Sequence, residues 1–448
     1  MTKPEELAQD LLRKAKGRGS TEGDVLVVEG DSFSVRVRLR EIDKLEHARE
    51  HQLGLRLFFG KRSAVTATSD LSLASLDRLL EDTCALAQST AQDQASGLPA
   101  PDQYVDNVPD LNLWDQRSED LSVDEKIQLA KNVEAAALDY DPRITNSEGG
   151  NFDHYTTRVL YTNSHGFLGQ YKASGFSISA VPVATTNGTM QRDYWYSYRR
   201  KFDQLDSAEK VGQVAAMRAL RRLGAKKVKT QARPVVFEPL MAARLLSHLA
   251  MALSGYAIYK GTSFQVGKLG KQIASPQVTI FDDGTLLAGL GSRPFDGEGI
   301  ATLKTPVIEQ GILKSYLLDT YSARKLAMVS TGNAARGVSD SPTVSPNNFY
   351  MAAGPWSPEQ IVKTVKSGLY VTELIGFGVN MATGDFSQGA AGLWIERGEL
   401  TFPVEEITIA GNLNQMLCDI EMVGNDLEMR GKISAPTLKI SRMMIAGE

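Results

Sequence analysis

The stretch Phe237–Phe264, FEPLMAARLLSHLAMALSGYAIYKGTSF, reads as one long apolar helix running into a glycine-rich turn. His248 sits in its middle, where a metal ligand would matter, so whether this helix carries a metal decides what kind of protein this is. The most apolar run inside it, Leu245 to Ile258, is broken by that histidine. It is also too short to cross a bilayer, which takes about 20 apolar residues.

Working outward, the helix follows a short β-type run, Pro234-Val-Val-Phe237, and a polar segment, Lys226 to Arg233. That composition shift places a domain boundary near position 230, giving residues 1–230 and 231–448. Beyond the helix, β-type runs alternate with tight turns: Val278–Phe281 before Asp283-Gly284, Pro306–Glu309 before Gln310-Gly311, then Leu313–Leu317. Ser357-Pro-Glu-Gln360 opens a helix with an N-cap and a first-position proline, ending at Gly368. Strands follow at Leu369–Ile375, Leu393–Glu396, Leu400–Val404, Glu406–Ile409 and Thr437–Ile445. The second half is therefore β-rich with a few helices, barrel- or sandwich-like.

Before position 230 the chain mixes helices and strands. MTKPEELAQDLLRKAKGRG forms an amphipathic helix, followed by strands at Asp24–Glu29 and Ser32–Arg40 with Gly30-Asp31 as the hairpin turn. Phe33, Val35, Val37 and Leu39 alternate with polar residues. A helix from Leu71 to Gln88 puts Cys84 on its apolar face, so this thiol reads as core. Ser122-Val-Asp-Glu125 is a capping box, and Asp206-Ser-Ala-Glu209 caps a helix stopping near Gly224. The fold class is α+β: an N-terminal α+β domain and a β-rich C-terminal domain.

Lysine and arginine total 49 against 53 acidic residues, a net charge of −4, which gives no global reason to expect nucleic acid or an anionic membrane as partner. Two cysteines, Cys84 and Cys418, make neither a disulfide framework nor a four-thiolate zinc site. With no apolar signal core at the start, a cytoplasmic location is expected.

Several constellations invite chemistry. His47 and His51 have a spacing that would share one helix face, but in charged, solvent-like surroundings. Arg199, Arg200, Lys201, Arg218, Arg221, Arg222, Lys226, Lys227 and Lys229, near Tyr194, Trp195 and Tyr196, suggest a nucleic-acid surface, against which the acidic total weighs. Asn380–Gly392, NMATGDFSQGAAG, is loop-like, with glycines that let a backbone come close. Asp385 and Ser387 have no histidine beyond position 248 to serve as base, so an independent hydrolase ranks last.

Six phrases, in order, carry a resemblance: Lys260-Gly-Thr-Ser263, Phe281-Asp-Asp-Gly-Thr285, Glu309-Gln-Gly-Ile-Leu-Lys314, Thr331-Gly-Asn333, Thr383 to Gly392, and Gly424-Asn-Asp-Leu427. Together they resemble the TldD/PmbA (TldD/TldE) family. The resemblance implies a cytoplasmic bacterial metalloprotease built from two related subunits that trims or degrades peptides, such as antibiotic precursors and antitoxins. It also implies that the TldD type holds zinc through an H-E-x-x-x-H helix and a later cysteine. Here the two histidine positions fall on Leu246 and Met251 and the glutamate on Ser247, while Glu428-Met-Arg-Gly-Lys-Ile runs on without a cysteine.

The chain thus resembles the PmbA/TldE type, with no metal of its own and zinc expected on a TldD-type partner. His248 is then a core or partner-facing histidine with one nitrogen satisfied. An extended peptide is the expected substrate, held by strand addition in the second half, with Gly261, Thr262, Ser263, Asp385, Phe386, Ser387, Gln388 and Gly389 as the candidate surface. A homodimer is expected when the chain is alone. The alternative is a non-catalytic homodimeric peptide-binding or regulatory protein.

Overall fold

A computed structural model describes residues 3–448; Met1 and Thr2, at the head of the expected first helix, lie outside the described residues. The first half is one antiparallel sheet with helices. Helix α1 (Pro4–Gly17) precedes the long strands β1 (Glu22–Arg38) and β2 (Glu41–Phe59), then β3 (Arg62–Thr68) and α2 (Leu73–Ser89). After α3 (Arg117–Asp120) and α4 (Val123–Leu138) come β4 (Ile144–Asn163), β5 (Leu168–Thr186), β6 (Thr189–Arg192), β7 (Trp195–Arg199) and α5 (Ala208–Leu220). The order across the sheet is β3-β2-β1-β4-β5-β6, with β7 also pairing β5.

Alternation along β1 builds two layers. Val25 and Val27 pack against α1 and α2, while Phe33, Val35 and Val37 pack beneath α4 and α5. Leu26 points to the opposite face and meets Phe295 and Val338 of the second half. The capping box at Ser122 and Glu125 forms as expected, and Ser207 caps α5.

The hairpin expected at Gly30-Asp31 does not exist: β1 runs straight through it. Gly30 and Asp31 pair with Glu50 and Arg49 on one side and with Thr157 and Thr156 on the other, so neighbours on both edges hold the segment extended. The turn falls instead at Leu39 and Arg40, with φ of 50° and 70°. Their two amides donate to the buried Glu134 carboxylate of α4, each at 2.8 Å. His47 and His51 therefore lie on a strand, not a helix; both are exposed, at 3.0 Å from Asp31 and 3.7 Å from Glu29.

In the second half β8 (Gln231–Phe237) leads into α6 (Pro239–Ala252) and α7 (Gly255–Tyr259), so the long helix is broken at Leu253-Ser254. Short strands β9 (Ile280–Asp283), β10 (Lys304–Glu309), β11 (Ile312–Leu313), β12 (Ala334–Ala335), β13 (Thr343–Val344) and β14 (Asn348–Met351) follow, with α8 (Thr320–Lys325) among them. Then come α9 (Pro358–Lys363), β15 (Ser367–Ile375), β16 (Asp385–Glu396), β17 (Glu399–Asn412), α10 (Leu413–Cys418), β18 (Ile420–Val423), β19 (Ile433–Ser434) and β20 (Leu438–Ala446). Strands β8, β15, β16, β17 and β20 close into a five-stranded barrel through the β17–β20 pairing. This bears out the α+β class with a barrel-like C-terminal part.

Barrel closure corrects the loop expected over Asn380–Gly392. From Asp385 onward that segment is β16, hydrogen-bonded to β17 on one side. On its other side it pairs with β15, and Ser387 N donates to the Gly378 carbonyl. Small residues sit here because barrel strands pack closely: a Cβ on Gly392 would lie 2.0 Å from the Tyr370 carbonyl oxygen.

Buried charge joins the halves. Asp24 of β1 accepts from Arg56 Nε at 2.8 Å and, through its other oxygen, from Arg336 Nη1 at 2.8 Å. Burial alone would raise the Asp24 pKa, but Arg336 and Arg56 hold it below the ordinary carboxylate range. Close packing does the rest: Gly54 lies so near the Val338 carbonyl that a Cβ there would overlap it.

Candidate functional site

Helix α6 starts where Pro239 takes the first position and Glu238 the N-cap. Glu238 leaves its helix uncapped and instead accepts from Arg218 at 2.8 and 3.1 Å and from Arg221 at 3.2 Å, fastening α6 to the end of α5. Apolar spacing sends Leu245, Leu246 and Leu249 inward, where they join Leu413, Met416 and Ile440. Arg244, Ser247 and Met251, at spacings of three and four, share another face. Met251 is exposed, and Ser247 Oγ donates to the Arg244 carbonyl at 2.7 Å.

The three motif positions offer little to a metal. Leu246 is sealed in the core, the Ser247 hydroxyl is used by its own helix, and Met251 brings only a thioether. Among the described residues, no three His, Cys, Asp or Glu side chains come together as a ligand set. The donor set does not fit zinc. His248 is buried and neither ring nitrogen has a partner, which corrects the expectation of one satisfied nitrogen. Burial, helped by the Arg244 charge, lowers its pKa and keeps it neutral, so it packs as an apolar ring.

Beside Ser247 opens a cleft of about 550 Å³. One wall is α6, through Leu240, Ala243, Arg244 and Ser247. The facing wall combines Tyr194 and Tyr196 with the segment Glu428 to Ala435. The two tyrosines stack at 6.2 Å, and Arg430 lies 4.3 Å over the Trp195 ring while donating to the Tyr196 carbonyl. Here α6 meets the segment after Gly424-Asn-Asp-Leu427.

The eight candidate surface residues lie elsewhere. Phe264 N donates to the Met381 carbonyl, so the structure does bring the Gly261 turn to the segment before β16. Ser263 is buried and donates to the Ala252 carbonyl; Phe386 is core; buried Gln388 donates to the Gly376 carbonyl. Gly261 (φ 68°), Thr262, Asp385 and Ser387 are exposed, and Gly389 pairs with Ile375. The Asp385 carboxylate accepts from Thr383 and Asn412, which hold its pKa down. Because β16 is paired on both sides, strand addition has no free edge there.

The basic run is largely neutralised. Arg199 pairs with Glu428, Arg222 with Glu373 and Lys227 with Glu406, while Arg218 is buried against Glu238 and Asp193. Such pairing leaves little of the free positive stripe that nucleic acid requires.

Residues 23–87, 116–223 and 230–447 match, in turn, domain 1, the central domain and the C-terminal domain of the PmbA/TldA metallopeptidase models. The chain belongs to the PmbA/TldD metallopeptidase family. Its relatives in the family include the metalloprotease PmbA of Escherichia coli O157:H7, 39% identical over 99% of this chain and 96% of that protein. A metalloprotease TldD homolog of Haemophilus influenzae is 27% identical over 88% of this chain and 86% of its own length. Among solved structures, TldE from Thermococcus kodakarensis superposes with a TM-score of 0.88 at 23% identity, covering 98% of this chain and 100% of that one. A Bacteroides thetaiotaomicron protein at 31% identity gives 0.92, with both chains fully covered. The fold is the family's throughout.

The cleft residues were hard to find from sequence. In the sequence Tyr194 and Tyr196 read only as aromatic company for the basic run, and the one local signal of a shared face is their two-residue spacing. The Glu238–Arg218 link had none.

Proposed function

We propose that this chain is the PmbA/TldE-type subunit of a two-subunit peptide-cleaving metalloprotease, contributing structure and a peptide-holding cleft while a TldD-type partner carries the zinc. The observation behind this reading is the motif helix: its ligand positions are Leu246, Ser247 and Met251, buried, self-bonded and thioether-bearing respectively. The adjoining cleft offers stacked tyrosines and Arg244, aromatic and cationic groups that a peptide's side chains and backbone carbonyls can meet.

A partner surface is at hand. Met251 of α6, Ile375 and Phe377 are exposed at 51%, 56% and 94%, and Arg244 holds the segment of Ile375 and Phe377 to α6 through the Leu374 and Gly376 carbonyls. An almost fully exposed phenylalanine beside the motif helix is the kind of anchor that interfaces bury.

The test is reconstitution. Purified alone, the chain should hold far less than one zinc and hydrolyse no peptide; mixed with a TldD-type subunit it should support chelator-sensitive hydrolysis. Phe377→Glu should abolish co-purification with that subunit while leaving the fold intact. About one zinc per chain together with hydrolysis by the chain alone would overturn the reading.

A further inference from the structure

A second cleft, of about 440 Å³, lies between the first sheet and the second half and shares no lining residue with the first. Four cations line it: Arg200, Arg293, Arg336 and Lys432. Asp296 is the one carboxylate in that lining. It is already committed, since its oxygens accept from the amides of Glu298, Ile300 and Ala334. Burial and the Glu298 charge push its pKa up, which weakens it as a counter-charge.

The cations are under-used. Arg200 spends its donors on the neutral carbonyls of Ser174 and Leu290 and on Tyr155. Arg293 gives Nε to Asn347, and its Nη2 is buried without a partner. Arg336 has a fully buried side chain, and beyond its bond to Asp24 both Nε and Nη2 have no partner. Lys432 keeps an exposed side chain, and partial desolvation by its neighbours, with the charges of Arg293 and Arg200, lowers its pKa. Gathering like charges and leaving three guanidinium nitrogens unbonded costs stability unless an acceptor completes them. In the same lining Tyr171 meets Phe295 edge-on at 5.4 Å, an aromatic surface for the body of a ligand.

We propose that this cleft binds an organic anion: a carboxylate or phosphate oxyanion, carried on an apolar group, completing Arg293, Arg336 and Lys432. The free carboxyl end of a peptide and a small phosphorylated molecule present the same oxyanion chemistry.

Calorimetric titration of the full chain distinguishes them with three probes: inorganic phosphate, a short apolar peptide with a free C-terminal carboxylate, and the same peptide amidated. Expected is one site per chain for phosphate or the free acid, about tenfold weaker in Lys432→Met and in high salt, with the amide much weaker than the acid. Binding of phosphate but not the acid would assign a phosphorylated ligand; binding of the acid would assign a peptide end. Lys432 makes no side-chain hydrogen bond or ion pair among the described residues, so the variant should keep the wild-type unfolding midpoint. The proposal fails if neither phosphate nor acid binds, if the acid binds and the amide binds equally well, or if Lys432→Met binds as wild type does.

Discussion

Replacing Asp24 by alanine should unfasten the two halves more than any other single change at their contact. In the native chain its carboxylate serves both Arg56 and Arg336, and Tyr161 donates to it at 3.2 Å. After truncation Arg56 keeps only Glu298, at 3.6 Å, while Arg336 keeps no carboxylate and its side chain has no exposure to water. Removing one partner of a buried pair costs about 3–5 kcal/mol, because the other charge stays buried. With an unfolding entropy of about 2.1 cal/mol/K per residue, the whole chain changes by about 0.9 kcal/mol per degree, so the midpoint should fall by about 3–5 °C. Scanning calorimetry of wild type, Asp24→Ala, Arg336→Met and Asp24→Ala/Arg336→Met measures this. The double variant should be no less stable than the single, since it removes the stranded charge. The pH dependence follows from the lowered pKa of Asp24: its contribution is complete above the unfolded value of about 3.9 and is lost only as pH falls through the lower native one. A shift below about 1 °C, or full additivity in the double variant, would refute the reasoning.

Two other substitutions probe buried sites. His154 is buried, has no partner on either ring nitrogen and is stacked 5.0 Å from Phe176, with its pKa pushed down to about 4 by burial and by Lys126. The unfolded chain therefore takes up this proton first as pH falls, so stability is intact above about 6.5 and drains by about 3 kcal/mol toward pH 4; His154→Phe should flatten that slope in urea unfolding at about pH 7 and about pH 5. Gly54→Ala should cost about 1–3 kcal/mol, because the new methyl meets backbone at Val338 and not a side chain that can swing away; an unchanged urea midpoint would show that the halves slide apart freely there.

What the sequence revealed was what depends on local pattern. The capping boxes at Ser122 and Ser357, the alternation of Phe33, Val35 and Val37 and the apolar face with Cys84 are set by near neighbours and appear as expected, whereas Leu39, the fourth residue of that alternation, leaves the strand and lies exposed in the turn. The failures share a cause: a partner far along the chain. Gly30-Asp31 looked like a turn until strands β2 and β4 were laid on both sides. The real turn residues, Leu39 and Arg40, are poor formers of left-handed backbone and are held there by Glu134, roughly a hundred residues away. The small-residue run before Gly392 read as a loop because close packing of barrel strands and backbone freedom call for the same residues. At the site, the loss of ligands was legible at Leu246, Ser247 and Met251, since it concerns residue identity. The cleft beside them was not, because its two walls are about fifty to two hundred residues apart in the chain.

One strand connects the two clefts. Tyr194 and Tyr196 line the first, while Tyr198 and Arg200, continuing the same two-residue alternation, line the second. Across the gap, Arg430, Gly431 and Ile433 line the first and Lys432 the second. At about 3.3 Å per extended residue, Tyr196 and Arg200 are separated by about 13 Å. An extended peptide of about four residues would match that separation. The two sites remain experimentally separable. Tyr196→Ala should weaken the acid and amide forms of a peptide alike, because stacking ignores the terminus. Lys432→Met should weaken only the acid, because only that form brings a charge. A peptide whose affinity responds to both changes occupies both clefts at once, whereas one that responds to a single change is confined to that cleft.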